Sequence, residues 1–174
     1  LQKRGFVLIM LSNQSGIAKG LITQQQAADV HDKFIEYLKE ENVTIDYTYY
    51  CPHKKEDNCS CRKPSSEQLL LAAIKFKIDV ENSYMIGDRE LDIETGKNAG
   101  CNTILINTRN LENIDEINPD FVSTDWNKIL SYILRGIEFD TTKISRISLY
   151  QRQHDYKITN IKPLEKSSSY STDI

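Results

Sequence analysis

The chain has 174 residues, of which 39% are hydrophobic and 27% charged, a composition typical of one globular domain rather than of a disordered or membrane-spanning chain. No apolar run approaches the roughly twenty residues that a bilayer-spanning helix needs, so no membrane partner is expected. The formal net charge of −3 provides no basic surplus for neutralising phosphates, which argues against nucleic acid as a partner.

The first part of the chain predicts a strand, a helix and a second strand. The apolar run from Phe6 to Leu11 predicts a strand buried on both faces, ending at the polar sequence from Ser12 to Gly16. Thr23 can cap a helix that continues to about Glu41, and Ile45 to Tyr50 predicts a second strand. The apolar residues that recur at helical spacing are Ala27, Val30, Phe34, Ile35 and Leu38.

The next part continues the alternation of helices and strands. Ser65 and Ser66 precede an amphipathic helix that includes Leu69 to Phe76. The later elements are a strand at Ser83 to Ile86, a helix at Leu91 to Lys97 closed near Gly100, strands at Thr103 to Ile106 and Phe121 to Ser123, and a helix at Trp126 to Leu134. This order predicts an α/β fold, a Rossmann-like parallel sheet with helices on both faces that binds ligands at the carboxyl ends of its strands.

The composition changes at about residue 140. Residues 1–139 are predicted to form one domain, and residues 140–174, basic and then serine-rich, are predicted to be a partly disordered extension of unknown role. His154 falls in this extension, His31 is expected on the solvated face of its helix, and Cys101 is expected in the core.

Three of the four cysteines lie with a histidine in one short polar loop. Cys51 and His53 are followed, after five residues, by Cys59 and Cys61. Three thiolates and one imidazole are the ligand set of a closed structural zinc site, and the alternative is a loop of free cysteines. The clustering favours metal over disulfide chemistry, and together with the lack of a recognisable signal peptide it predicts a cytoplasmic protein.

Polar residues at three predicted strand ends could handle phosphate. Ser12 offers a hydroxyl beside backbone N–H groups, and Lys63 with Arg62 can neutralise charge on a transferred phosphoryl group. Asp88 can bind Mg²⁺, with Asp92 in support. Each also fits an ordinary role as a strand end, a surface charge or a turn, and only their shared position at the carboxyl ends favours a site.

Three segments resemble one known family, namely Ser12-Asn-Gln-Ser-Gly-Ile-Ala-Lys-Gly20, the Cys51 to Pro64 segment with its Cys-Arg-Lys-Pro end, and Ser83-Tyr-Met-Ile-Gly-Asp-Arg-Glu-Leu-Asp92. They resemble the haloacid dehalogenase superfamily, in its group of D,D-heptose 1,7-bisphosphate and histidinol-phosphate phosphatases. The resemblance implies a Mg²⁺-dependent phosphatase with a minimal cap that forms an aspartyl-phosphate intermediate on a small phosphorylated substrate. We further expect a monomer. The implied substrate-binding residues are Ser12, Asn13, Gln14, Ser15, Arg62 and Lys63, of which Ser12 and Lys63 are catalytic; Asp88 would bind Mg²⁺ with Asp92 in support, and the four loop residues would bind zinc.

The family's nucleophile motif is not found in the sequence. The resemblance implies an apolar strand ending in Asp-x-Asp, placed centrally between the strands that here end at Ser12 and Gly87, and the chain contains no Asp-x-Asp. We therefore expect that an amino-terminal segment with this strand precedes Leu1, and that the 174-residue chain alone is inactive. Three hypotheses stay open: removal of the 7-phosphate from heptose 1,7-bisphosphate, histidinol-phosphate hydrolysis, and a non-catalytic zinc-bearing scaffold.

Overall fold

The computed structural model describes residues 1–138, with side chains described as far as residue 135. Within these residues five strands alternate with five α-helices, and the sequence predicted all five strands and four of the helices. The strands are β1 (Ile9–Asn13), β2 (Tyr47–Cys51), β3 (Tyr84–Gly87), β4 (Asn102–Leu105) and β5 (Phe121–Val122). The helices are α1 (Gln24–Glu40), α2 (Glu67–Phe76), α3 (Glu90–Ala99), α4 (Ile114–Ile117) and α5 (Trp126–Glu138). The α/β class is thereby confirmed, and the predicted extension at 140–174, with His154, lies outside the described residues.

The strands form two separate sheets. β1 pairs in parallel with β2, with Ser12 opposite Tyr50, while β3, β4 and β5 form a second parallel sheet in that order. Within residues 1–138, β1 and β3 share no ladder of backbone hydrogen bonds. The interruption falls between β1 and β3, which is where the family resemblance places a further strand.

The hydrophobic core lies on the β3–β5 sheet. Ile93 of α3, Leu105 and Ile117 form one buried cluster, and Ile104 packs with Ile129 and Ile133 of α5 in a second. Leu1 and Phe6 pack against the second cluster. A short 3₁₀ turn at Gln2–Arg4 precedes Phe6 and ends at Gly5, whose positive φ of 84° suits glycine.

Several local predictions need correction. β1 begins at Ile9, not Phe6, and none of its residues is fully buried, because one of its edges has no neighbouring strand in the described residues. Thr23 caps α1 as predicted, but α1 buries no residue, and Val30 on its apolar face is 71% exposed. His31 is not simply solvated, because its Nδ1 lies 2.7 Å from the Tyr50 hydroxyl. Cys101 is buried, as predicted.

The described helices give no sign of a membrane span. None of those within residues 1–138 combines the length and the apolar character that crossing a bilayer requires.

Candidate active site and metal centre

The carboxyl end of β1 is joined to Lys63, fifty residues further along the chain. The Asn13 side chain accepts a hydrogen bond from the Lys63 backbone N–H at 3.1 Å and donates one to the Lys63 carbonyl at 3.2 Å. This paired contact fixes the backbone of Lys63 beside the strand end that carries Ser12. Asn13, predicted to bind substrate, has its side chain engaged within the protein.

The Lys63 side chain bridges the two sheets. Its Nζ donates to the Leu11 carbonyl at 3.0 Å and to Asp92 Oδ1 at 2.6 Å. The two side chains are 14% and 7% exposed, so the ion pair is largely shielded from water. Because unpaired charges are costly to bury, this pair holds the Lys63 ammonium in one position between β1 and α3.

Asp92 holds Lys63 and caps a helix. Its Oδ2 accepts a hydrogen bond from the Arg89 backbone N–H at 3.2 Å, at the amino terminus of α3. Both carboxylate oxygens therefore have partners, one of them Lys63. The role of Asp92 in supporting Mg²⁺ stays a prediction, and the contacts seen are those of a residue that positions Lys63.

Gly87 makes this arrangement possible. A Cβ atom at Gly87 would lie 2.3 Å from both the Cβ and Oδ2 atoms of Asp92, far inside van der Waals contact. No larger residue fits unless the first turn of α3 moves. In the sequence Gly87 fits an ordinary turn, but a glycine at the end of a strand can also signal a close approach.

The loop after β1 places Gln14 against Ser12, which lies within the strand. Gln14 Nε2 donates to Ser12 Oγ at 3.1 Å, and the Gln14 backbone N–H donates to the Cys51 carbonyl at 2.7 Å. Accepting this bond leaves the Ser12 hydroxyl proton available to donate. Ser15 lies in the same loop and is partly buried, and its carbonyl accepts from Lys19 N–H.

Asp88 follows β3 directly and has a cationic partner. Its Oδ2 lies 2.5 Å from Arg109 Nε, in an ion pair whose side chains are 39% and 48% exposed. Arg109 lies in the loop after β4, where Asn107 closes a turn by accepting from Leu111 N–H. Arg109 was not among the predicted site residues, although an arginine that follows a strand at the same sheet edge is a usable signal.

The four loop residues form a compact donor cluster. The ligand atoms of Cys51, His53, Cys59 and Cys61 all lie within 4.8 Å of one another. Cys59 Sγ is 3.5 Å from the sulfur of Cys51 and from that of Cys61, and His53 Nδ1 is 3.3 Å from Cys61 Sγ. A tetrahedral ion with Zn–S bonds of about 2.3 Å separates its sulfurs by about 3.8 Å, so the cluster fits zinc after a small expansion.

Burial of these four donor residues favours a bound cation. It raises the pKa of the Cys51 and Cys61 thiols, because thiolate charge is disfavoured away from water. A bound dication supplies the opposing charge. Arg62 is joined to the same loop, because its Nη1 donates to the His53 carbonyl at 3.0 Å.

The fold and this site define a class of protein. Residues 60–128 match the family model described as HAD-hydrolase-like, where HAD stands for haloacid dehalogenase. D-glycero-D-manno-heptose-1,7-bisphosphate 7-phosphatase from Chlorobaculum tepidum is 35% identical over 150 residues, which cover 76% of this chain and 75% of that protein. The chain therefore belongs to the HAD-like hydrolases, and within them to the family that contains the heptose-bisphosphate phosphatases, which confirms the resemblance drawn from the motifs.

A solved structure and a second relative add to this comparison. The crystal structure of D,D-heptose 1,7-bisphosphate phosphatase from B. bronchiseptica, complexed with magnesium and phosphate, has a TM-score of 0.69 and 26% identity, over 78% of each chain. The histidine biosynthesis bifunctional protein HisB of Baumannia cicadellinicola is 37% identical over 107 residues, 62% of this chain and 30% of that protein. Against six further relatives named for heptose-bisphosphate phosphatase activity, the chain spans only 57 to 64% of their length.

Proposed function

We propose that this protein is a Mg²⁺-dependent phosphomonoester hydrolase that removes the 7-phosphate of D-glycero-D-manno-heptose 1,7-bisphosphate. Membership of the family supports the reaction class. The observation that carries the proposal is the placement of Lys63, whose ammonium is held between the Leu11 carbonyl and Asp92 at the end of β1. A cytoplasmic location and a monomeric state stay predictions.

The proposed roles follow from charge and position. Lys63 neutralises negative charge on the transferred phosphoryl group, and the Ser12 hydroxyl donates to one of its oxygens. Arg62, oriented by its bond to the His53 carbonyl, binds the substrate beside Lys63. Asn13 positions Lys63 and Gln14 positions the Ser12 hydroxyl, while Ser15 belongs to the loop that follows β1.

Asp88 is the proposed Mg²⁺ ligand. It is a partly exposed carboxylate at the carboxyl end of β3, and Mg²⁺ sites commonly use one or two carboxylates with waters and substrate phosphate. When bound, the ion neutralises phosphoryl oxygens and aligns the group for displacement. Asp88 is held in place for this by Arg109, which engages only its Oδ2.

The zinc ion proposed for the Cys51, His53, Cys59 and Cys61 cluster is structural. Four protein ligands leave no coordination position for a reactive water, so the cluster shapes the segment that leads into Arg62 and Lys63. Elemental analysis of the purified protein tests this proposal, and one zinc per chain is expected.

Histidinol-phosphate hydrolysis is the second candidate. The five-residue spacing between His53 and Cys59, together with the similarity to the bifunctional histidine biosynthesis protein, favours it. The two substrates can be offered in parallel to the protein expressed from its complete gene, with phosphate release as the measurement. Faster release from histidinol phosphate would overturn the preferred assignment.

A non-catalytic scaffold is the third candidate, because the 174-residue chain contains no Asp-x-Asp. We expect this chain alone to release no phosphate, since lysine and serine cannot replace a carboxylate nucleophile. Reading the genomic sequence upstream of the codon for Leu1 distinguishes the alternatives. An in-frame apolar strand ending in Asp-x-Asp supports the enzyme, whereas a start codon near Leu1 supports the scaffold.

A further inference from the structure

The loop that follows β4 holds Arg109 beside Asp88. The Ile106 N–H donates to the carbonyl of the last residue of β3 at 2.8 Å, which ties the start of this loop to the end of that strand. Asn107 closes the loop, because its Oδ1 accepts a hydrogen bond from the Leu111 N–H at 2.8 Å. Leu111 in turn packs against the first of the two core clusters. Arg109 therefore lies in a short loop whose two ends are both anchored.

Arg109 is the one partner that residues 1–138 give to the Asp88 carboxylate. Its Nε donates to Oδ2 at 2.5 Å, and within those residues no second ion pair and no further side-chain hydrogen bond involves Asp88. A guanidinium and a carboxylate at this distance form a charge-assisted hydrogen bond. The carboxylate that is proposed to bind Mg²⁺ thus already has a positive counter-charge within the chain.

This ion pair is open to water, unlike the ion pair between Lys63 and Asp92. The Lys63 and Asp92 side chains are 14% and 7% exposed, so separating them would leave buried charges unpaired. The Arg109 and Asp88 side chains are 48% and 39% exposed, so water can solvate both groups once they separate. Arg109 can therefore leave Asp88 at little cost, and a cation from solvent can reach the carboxylate.

The contact with Arg109 acts on metal binding in two opposite ways. It orients the Asp88 carboxylate, which favours binding because less side-chain entropy is then lost. It also places a positive charge beside the oxygen atoms that a dication needs, which opposes binding. An exposed ion pair contributes little orienting free energy, whereas the repulsion acts on an ion of twofold charge. The repulsion is therefore expected to dominate.

We propose that Arg109 competes with the divalent cation for Asp88, so that it acts through Asp88 as a positioning residue that lowers the metal affinity of the site. This inference rests on the proposed function, in which Asp88 binds Mg²⁺. Arg109 must give up at least part of its contact with Oδ2 for a dication to bind, and its guanidinium then turns into solvent. The lower affinity keeps the metal exchangeable rather than permanently bound.

The test measures the affinity for Mn²⁺ alone, without substrate, on the protein expressed from its complete gene. Mn²⁺ is the probe because it shares the preference of Mg²⁺ for carboxylate ligands, and the electron paramagnetic resonance signal of the free ion reports the bound fraction. Arg109→Gln is expected to tighten Mn²⁺ binding about three- to tenfold, because one like charge leaves the site. Arg109→Lys keeps the charge and should stay within about twofold of the wild type. Arg135→Gln, which replaces an exposed arginine in the last turn of α5, is the matched control and should change nothing.

Salt dependence separates a charge effect from a structural one. Because added salt screens the repulsion, the difference in affinity between the wild type and Arg109→Gln should shrink as the ionic strength rises from about 0.05 M to about 0.5 M. A rearranged loop would give a difference that salt does not change. Thermal unfolding of each variant should match that of the wild type, because the ion pair is exposed.

The remaining outcomes are also decisive. Weaker Mn²⁺ binding in Arg109→Gln, an unchanged affinity, or a difference that is insensitive to salt each overturns the competition but leaves Asp88 as the metal ligand. Asp88→Asn tests that premise separately. If Asp88→Asn binds Mn²⁺ as tightly as the wild type, or if the wild type binds none, the proposed role of Asp88 fails and the inference fails with it.

Discussion

The two sheets of this protein are stabilised in different ways. In residues 79–138, β3 to β5 are covered by α3 and α5, and fully buried isoleucine and leucine side chains form the two core clusters. In residues 7–78, α1 buries no residue, and the buried residues there are Cys51, Gln68 and Ala72. The β3–β5 region thus has a hydrophobic core, whereas the β1–β2 region has few buried side chains and is joined to α3 by polar contacts.

This difference matters because the candidate site spans both regions. Asp88 and Asp92 lie on the well-packed β3–β5 region, while Ser12, Arg62 and Lys63 lie on the β1–β2 region. The Lys63–Asp92 ion pair connects the two. The geometry of the site therefore depends on how firmly the less densely packed region is held, and metal binding is expected to supply most of that stability.

Removal of zinc should have the largest effect. Cys59→Ser is expected to lose the bound ion and to unfold the loop from Cys51 to Lys63, because structural zinc contributes folding free energy directly. Hydrogen exchange should accelerate in β1 and β2 and stay slow in β4 and α5. Metal content and exchange, measured on the same sample, check both expectations.

Cys101→Ser is the matched control for this variant. Cys101 is buried beside Gly96, outside the cluster, so its replacement should leave the zinc content unchanged. Unchanged zinc in Cys59→Ser would contradict the assignment of the metal site. Equal acceleration of exchange in both regions would contradict the independence of the two regions.

The connection between the regions can be broken at Lys63. Lys63→Gln should lower turnover at least a hundredfold in a catalytically competent form, because the phosphoryl charge loses its counter-ion. It should also destabilise the protein by about 3 kcal/mol, because Asp92 is left as a buried charge without its lysine. Turnover and urea denaturation are the two measurements.

A double variant separates these two effects. Lys63→Gln combined with Asp92→Asn removes both charges, so most of the stability should return while turnover stays low. Recovery of turnover in the double variant would show that Lys63 acts only through the fold. An unaltered stability in the single variant would show that the pair is more hydrated than its exposure indicates.

A change confined to the β3–β5 core should have an intermediate effect. A Cβ at Gly96 would lie 2.7 Å from Met85 Cβ and from Thr103 Cγ2, so Gly96→Ala forces α3 away from the sheet. We expect a loss of about 1 to 3 kcal/mol, detected by thermal unfolding, with zinc content unchanged. Glu94→Ala, at an exposed position of the same helix, should cost much less, and an equal cost would refute tight packing at Gly96.

The sequence predicted the order of the elements well because hydrophobic periodicity and capping are local properties. The Thr23 cap correctly marked the start of α1, and the apolar run that begins at Thr103 correctly marked β4. The short helix α4 had no comparable pattern. The strand ends predicted a candidate site at the carboxyl edge of the strands, and that assignment stays a prediction. The Lys63–Asp92 pair, the partnership of Arg109 with Asp88 and the exposure of Val30 could not be predicted, since they depend on how distant segments pack.

The smallest expected effect tests the β1–β2 region alone. Thr23 Oγ1 accepts from Gln26 N–H at 3.1 Å, and Gln26 Oε1 accepts from Thr23 N–H at 2.8 Å, so Thr23→Ala removes half of a reciprocal cap. Loss of the cap should cost about 1 kcal/mol of helix stability. This loss corresponds to amide hydrogen exchange in α1 that is about fivefold faster than in the wild type. Because α1 buries no residue, the acceleration should be confined to α1 and should leave the unfolding of the β3–β5 region unchanged. Asp32→Ala, at an exposed position in the middle of α1, is the control, and faster exchange spreading into β4 would show that α1 is coupled to the core after all.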